Sequence, residues 1–212
     1  MRGLSARGPA PPVRARIPGL VLVTDRHATA GRDLVAVVAA ALDAGLPAVQ
    51  LRDKDLPGGP LFALAERLRA ATAQTGALLF VNDRLDVALG VGADGVHLGG
   101  GSMPADVARR LVGADALIGV STHAPGEAPA DADLAFFGPV YATPSKGGAQ
   151  GEARLAEAVR AAAIPVLAIG GVTAARVPAV RAAGAAGAAV IRAILAAPDP
   201  AAATRALLAA LA

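Results

Sequence analysis

The run Gln50-Leu51-Arg52-Asp53-Lys54 sets an amide and two cations at every second position. On an extended backbone these three side chains leave from one face, a grouping suited to anionic oxygens. Lys54 could equally belong to a solvated loop, whereas Arg52 stands directly at the end of an apolar run. Asn82 and Asp83 follow the next run, Leu78–Val81. They could cap a helix beginning near Arg84, or Asp83 could offer carboxylate oxygens to Mg²⁺, a hard cation. Ser121 and Thr122 bring hydroxyls to a third run, and His123 beside them could act as a general acid or base or occupy the first turn of a helix. Thr143, Ser145 and Lys146 lie in the longest irregular stretch, followed by Gly147 and Gly148. A mobile loop of that make-up can close over an anion. The pair Gly170-Gly171, with Thr173 as a helix cap after it, and the run from Gly187 to Ile191 and Arg192 repeat one shape: an apolar strand, a tight turn, a helix start. Glycines there let backbone amides approach an anion, although they could also do no more than turn the chain. Two anion sites together point to a small phosphorylated substrate with a diphosphate beside it. His97 reads as an inward-facing structural histidine.

These residues need elements to hold them. From Gly19 onward short apolar runs alternate with Ala-rich helical stretches. Strands are expected at Leu20–Thr24, Ala48–Leu51, Leu78–Val81, Gly95–Leu98, Leu117–Val120, Leu134–Phe137, Val166–Ile169 and Ala186–Val190. Helices are expected near 32–44, 58–74, 84–90, 104–112, 124–131, 152–163, 173–183 and 191–211. Such βα repetition without a break in composition predicts an α/β protein, a single-domain (β/α)₈ TIM barrel over residues 19–212. An open doubly wound sheet fits less well, because Thr24-Asp25-Arg26-His27 follows the first strand where a Gly-x-Gly-x-x-Gly turn would stand. In a barrel of this kind the chemistry sits at the C-terminal ends of the strands, where the polar residues above are found.

Composition narrows the classes further. Hydrophobic residues make up 54% and aromatic ones 2%, so Ala, Val, Leu and Ile must build the core. The chain has no cysteine, which excludes disulfides, thiolate metal sites and a Cys nucleophile. No apolar run is long enough to cross a bilayer, and no membrane partner is expected. Residues 1–18 carry Arg2, Arg7, Arg14 and Arg16 without an acid and read as a basic, Pro-rich disordered tail. No nucleic-acid partner is expected, because aromatic residues do not interleave with those arginines.

Six motifs occur in order between about Leu20 and Leu195: Val49-Gln50-Leu51-Arg52-Asp53-Lys54, Val81-Asn82-Asp83-Arg84, Asp94-Gly95-Val96-His97-Leu98-Gly99, Gly119-Val120-Ser121-Thr122-His123, Thr143-Pro144-Ser145-Lys146 and Ala168-Ile169-Gly170-Gly171-Val172. Together they resemble the thiamine phosphate synthase superfamily, whose other branch is the thiazole tautomerases of the TenI group. The resemblance implies a (β/α)₈ barrel that joins hydroxymethylpyrimidine diphosphate to a thiazole phosphate, with loss of pyrophosphate, in the cytoplasm and with Mg²⁺. A homo-oligomer is compatible with it. It implies that Gln50 contacts the pyrimidine, and that Arg52, Lys54, Asn82 and Lys146 hold the diphosphate. Ser121 would hydrogen-bond that diphosphate, and Thr143 and Ser145 would line the closing loop. Gly170, Gly171, Ile191 and Arg192 would hold the thiazole phosphate. Asp83 would bind Mg²⁺, joined by Ser102, which stands where the synthase motif carries a second carboxylate. That exchange departs from the synthase pattern and resembles the tautomerase branch, in which His123 would carry the proton; Arg192 also stands where a small serine is common. A phosphate-ligand sensor without turnover is the reading outside enzymes.

Overall fold

A computed structural model describes residues 17–143 and 148–212. Nearly all of the expected tail, and both Ser145 and Lys146, lie outside these residues. Eight strands, β1 (Leu20–Val23), β2 (Ala48–Leu51), β3 (Leu78–Asn82), β4 (Gly95–Leu98), β5 (Leu117–Thr122), β6 (Leu134–Phe137), β7 (Val166–Ile169) and β8 (Gly187–Val190), pair in parallel in sequence order. The barrel closes through β1 on β8, with Leu20 opposite Ala188 and Leu22 opposite Val190. The fold is the expected (β/α)₈ barrel. Since every strand runs the same way, all eight C-terminal ends open on one mouth.

Around the sheet lie α1 (Leu34–Asp43), α2 (Gly58–Thr75), α3 (Leu85–Val91), α4 (Ala105–Val112), α5 (Gly151–Ala161), α6 (Val177–Ala182), α7 (Arg192–Leu195) and α8 (Pro200–Leu211). Local chemistry sets several boundaries. Asp33 Oδ1 accepts from the Ala36 amide at 2.9 Å to start α1, and Asp199 Oδ1 accepts from the Ala202 amide at 2.9 Å to start α8. The helix expected over 191–211 is in fact two, because Pro198 and Pro200 cannot donate to a preceding turn. The helix expected over 124–131 does not form. Pro125, Gly126 and Pro129 remove donors and stiffness from that stretch, and the chain crosses it in turns held by the Glu127 carboxylate, which accepts from the amides of His123 (2.6 Å) and Ala124 (2.9 Å).

Two apolar layers result from the alternation of side chains along each strand. One lies between sheet and helices, and the other fills the barrel with Val21, Val23, Ala48, Phe80, Leu117, Leu134, Phe136, Leu167 and Ala189. Glycines make room for the few rings inside. A Cβ on Gly95 would lie 2.7 Å from the Phe80 ring, and one on Gly119 would lie 2.7 Å from His97 Nδ1. Opposite the mouth, one device is used twice: Asp94 Oδ2 accepts from Arg69 (2.6 Å) and the Leu79 amide (2.8 Å), and Asp133 Oδ2 accepts from Arg109 (2.6 Å) and the Ile118 amide (2.7 Å). Placed at strand starts, these clamps stabilise the barrel floor and leave the mouth to chemistry.

Candidate active site

Above the apolar layer the inward positions turn polar. Gln50 is 2% exposed, and its Nε2 donates to Asn82 Oδ1 at 3.0 Å. Its Oε1 is buried with no partner among the described residues, a position costly to leave unsatisfied. Asn82 passes the chain on, its Nδ2 donating to Asp83 Oδ2 at 2.7 Å. Asp83 holds a left-handed backbone, φ +60°, which Asp tolerates better than most residues. This turn carries the carboxylate over to the fourth loop, where it accepts from the Gly99 amide at 3.2 Å and from the Ser102 hydroxyl. Ser102 Oγ also accepts from the Gly99 amide at 2.6 Å. Helix capping is therefore not the role of Asn82 or Asp83: Arg84 is the cap residue of α3, which has no side-chain cap bond. The capping expected of Thr173 is likewise absent as a side-chain bond, although the residue does stand at the head of the helical turn 174–176.

His97 is 3% exposed, lies 4.4 Å from the Phe136 ring between centroids, and has Nε2 2.9 Å from Ser121 Oγ. Burial pushes its pKa down to about 4; the Asp83 carboxylate opposes that fall and the Arg52 guanidinium adds to it. The imidazole is neutral near pH 7 and touches the hydroxyl expected to meet substrate. His97 is thus part of the site as well as of the core. Its signal in the sequence was a histidine at an inward-facing position directly below a glycine-rich loop.

Arg52 and Lys54 line a rim cavity of about 240 Å³ shared with Asp25, Arg26, His27, Asp53 and Asp55. Two of the acids there are engaged by Arg26, whose Nε is 2.9 Å from Asp53 and whose Nη2 is 3.7 Å from Asp55. That engagement leaves the two expected anion-holding cations without an ion pair among the described residues. His123 follows β5, and its Nδ1 lies 2.6 Å from the Gly138 carbonyl, which fixes the ring against the sixth loop. A carbonyl only accepts, so Nδ1 carries the proton and a neutral ring keeps Nε2 as an acceptor. Thr143 stands at the described end of that loop.

On the far side of the mouth Gly170 and Gly171 adopt φ +96° and +65°. A Cβ on Gly171 would sit 2.8 Å from Tyr141 Cβ and 3.1 Å from the Ala142 carbonyl, so the position has space for glycine alone. Ile191 and Arg192 open α7, whose Ile194 and Leu195 amides bond back to the Ile191 carbonyl at 3.3 and 3.0 Å.

Residues 20–194 match the thiamine monophosphate synthase family. The chain belongs to that family. It is 47% identical over 159 residues to a thiamine-phosphate synthase of Roseiflexus castenholzii, a match spanning 72% of this chain and 70% of that one. A thiamine-phosphate synthase of Anaeromyxobacter dehalogenans is 45% identical over 166 residues, 75% of this chain and 72% of its own. Among solved structures, a thiamine phosphate pyrophosphorylase from Pyrococcus furiosus superposes with a TM-score of 0.84 at 35% identity, covering 94% of this chain and 98% of that one. A 3-hexulose-6-phosphate synthase, at TM-score 0.65 and 21% identity, shares the fold alone.

Proposed function

We infer that this protein couples hydroxymethylpyrimidine diphosphate to a thiazole phosphate, giving thiamine phosphate and pyrophosphate. The observation that carries the reading is the continuous polar chain Gln50–Asn82–Asp83–Ser102, set at the same mouth as Arg52, which has no ion pair among the described residues, and the Gly170-Gly171 turn. In this reading Gln50 offers to the pyrimidine its Oε1, which has no partner among the described residues. Arg52, Lys54, Asn82 and Lys146 hold the diphosphate with help from Thr143 and Ser145, and Gly170, Gly171, Ile191 and Arg192 take the thiazole phosphate. Heterolysis of the methylene–oxygen bond sends its electron pair to the diphosphate, and the thiazole nitrogen then bonds to the methylene carbon. No protein nucleophile is needed, and the rate gain comes from stabilising the departing charge.

The Asp83 carboxylate with the Ser102 hydroxyl beside it suits Mg²⁺, which takes one or two carboxylates and completes its shell with water and phosphate oxygens. Bound there, Mg²⁺ would neutralise charge on the diphosphate. Among the described residues no three His, Cys, Asp or Glu side chains gather into an all-protein cage, so such a site depends on substrate oxygens. The His97 tautomer sets the direction of the neighbouring bond. With Nε2–H donating to Ser121 Oγ, the Ser121 O–H is released to donate to the diphosphate. No helix among the described residues is long and apolar enough to cross a membrane. Work in the cytoplasm is part of the proposal.

The test is to incubate the protein with both substrates and Mg²⁺ and to follow thiamine phosphate and pyrophosphate. Equal amounts of the two support the reading. Isomerisation of the thiazole without coupling would replace it with the tautomerase alternative.

A further inference from the structure

Three consecutive carbonyls at the phosphate-side turn each accept a hydrogen bond. The Ile169 carbonyl accepts from the Val140 amide at 2.9 Å, the Gly170 carbonyl from the Tyr141 amide at 3.0 Å, and the Gly171 carbonyl from Arg176 Nη1 at 2.6 Å. In a trans peptide the C=O and the following N–H point in opposite directions. Fixing these carbonyls therefore turns the amides of Gly170, Gly171 and Val172 the other way. The Gly171 and Val172 amides have no backbone acceptor among the described residues. Backbone of the sixth loop orients the first two peptides, and a single side chain orients the third.

That side chain is itself seated by the sixth loop. The Arg176 guanidinium carbon lies 4.4 Å from the centre of the Tyr141 ring, a cation–π distance. Tyr141 stays neutral at working pH, because burial raises its pKa and the Glu152 carboxylate beside it raises it further. Gly171 packs into the angle between the partners, so that an added Cβ would be 2.8 Å from Tyr141 Cβ and 3.2 Å from Arg176 Nη1.

We propose that Arg176 is a positioning residue: seated on Tyr141, it holds the Gly171–Val172 peptide with its N–H presented to the phosphate of the thiazole substrate, and so couples the sixth loop to the phosphate grip. The proposal rests on the assignment of that phosphate to the Gly170-Gly171 turn. It adds a contribution from Arg176 that does not pass through a direct contact with substrate.

The test is calorimetric binding of thiazole phosphate to wild type, Arg176→Met, Arg176→Lys, Tyr141→Leu and the Arg176→Met/Tyr141→Leu double variant, with KM for both substrates measured alongside. Arg176 is exposed, so its variants are expected to fold, and circular dichroism melts check this. Arg176→Met should weaken thiazole phosphate binding about tenfold, the scale of one charge-assisted hydrogen bond, with KM for the pyrimidine diphosphate changed less than about twofold. Arg176→Lys should recover little, because an ammonium lacks the flat face that stacks while donating. Tyr141→Leu should cost about threefold to fivefold on the cation–π scale, and the double variant should be no worse than Arg176→Met alone. Full recovery by lysine, or additive losses in the double variant, would overturn the coupling in favour of a plain charge effect. A wild type that binds thiazole phosphate without coupling would defeat the synthase reading and leave this result interpretable. Wild type that fails to bind thiazole phosphate would overturn the positioning role.

Discussion

Buried His97 makes the stability of the barrel depend on pH in a window that carboxylates do not share. Its pKa is about 4 in the folded protein against an ordinary 6.5, a gap of about 2.5 pH units. The folded pKa is depressed, so the unfolded chain binds the proton more readily. The contribution is fully present above pH 6.5 and is lost as pH falls toward about 4. At about 1.4 kcal/mol per pH unit the full effect is about 3 kcal/mol, and by about pH 5 some 2 kcal/mol of it is gone. That is a sizeable part of the ~5–15 kcal/mol that holds an ordinary domain. Urea unfolding at about pH 7.5 and about pH 5 measures the loss directly, and proton NMR of the His97 ring gives its titration in the folded state. His97→Gln, which keeps a hydrogen-bonding group near Ser121, should be less stable at both values yet lose about 2 kcal/mol less between them. Equal stability of wild type at the two pH values, or a ring that titrates near 6.5, would refute the claim that burial keeps this imidazole neutral.

Other consequences follow from the same geometry. Gly171→Ala must accept a left-handed backbone and a 2.8 Å approach to Tyr141, so it should lose about 2–4 kcal/mol in denaturant unfolding and bind thiazole phosphate at least about tenfold more weakly by calorimetry. Ser102→Asp would set a second carboxylate against Asp83, which at about 4 Å costs on the order of 1–4 kcal/mol of repulsion without a cation. It should lower the melting temperature in metal-free buffer and lower the Mg²⁺ concentration for half-maximal coupling by about tenfold, while Asp83→Asn should raise that concentration. Flat Mg²⁺ titrations in all three proteins would remove Asp83 from metal binding. His123→Ala should leave coupling within about tenfold of wild type, whereas a proton carrier in a tautomerase would lose about a hundredfold or more. Assaying both reactions on one preparation separates the two outcomes.

Barrel topology was legible in the order of residues because short apolar runs and Ala-rich stretches have different periods, and each period buries only in its own element. All eight strands stand within a residue or two of where alternation puts them. The candidate residues were legible for a related reason: polar groups interrupt the runs at their C-terminal ends, and a parallel barrel has one place for such ends. Helix 124–131 failed because alanines advertise helix more loudly than two prolines and a glycine deny it. Tertiary structure alone decided the pairings. Whether Asn82 and Asp83 cap α3 or reach toward Gln50 and Ser102 depends on strands and loops 16 to 32 residues away. The neutrality of His97 depends on the wall of side chains around it, and the seat of Arg176 on a ring 35 residues earlier in the chain. Periodicity is a property of neighbours along the chain, so one sequence carries it. Partners across the barrel are joined by closure of the sheet, and their distances exist only once β1 has met β8.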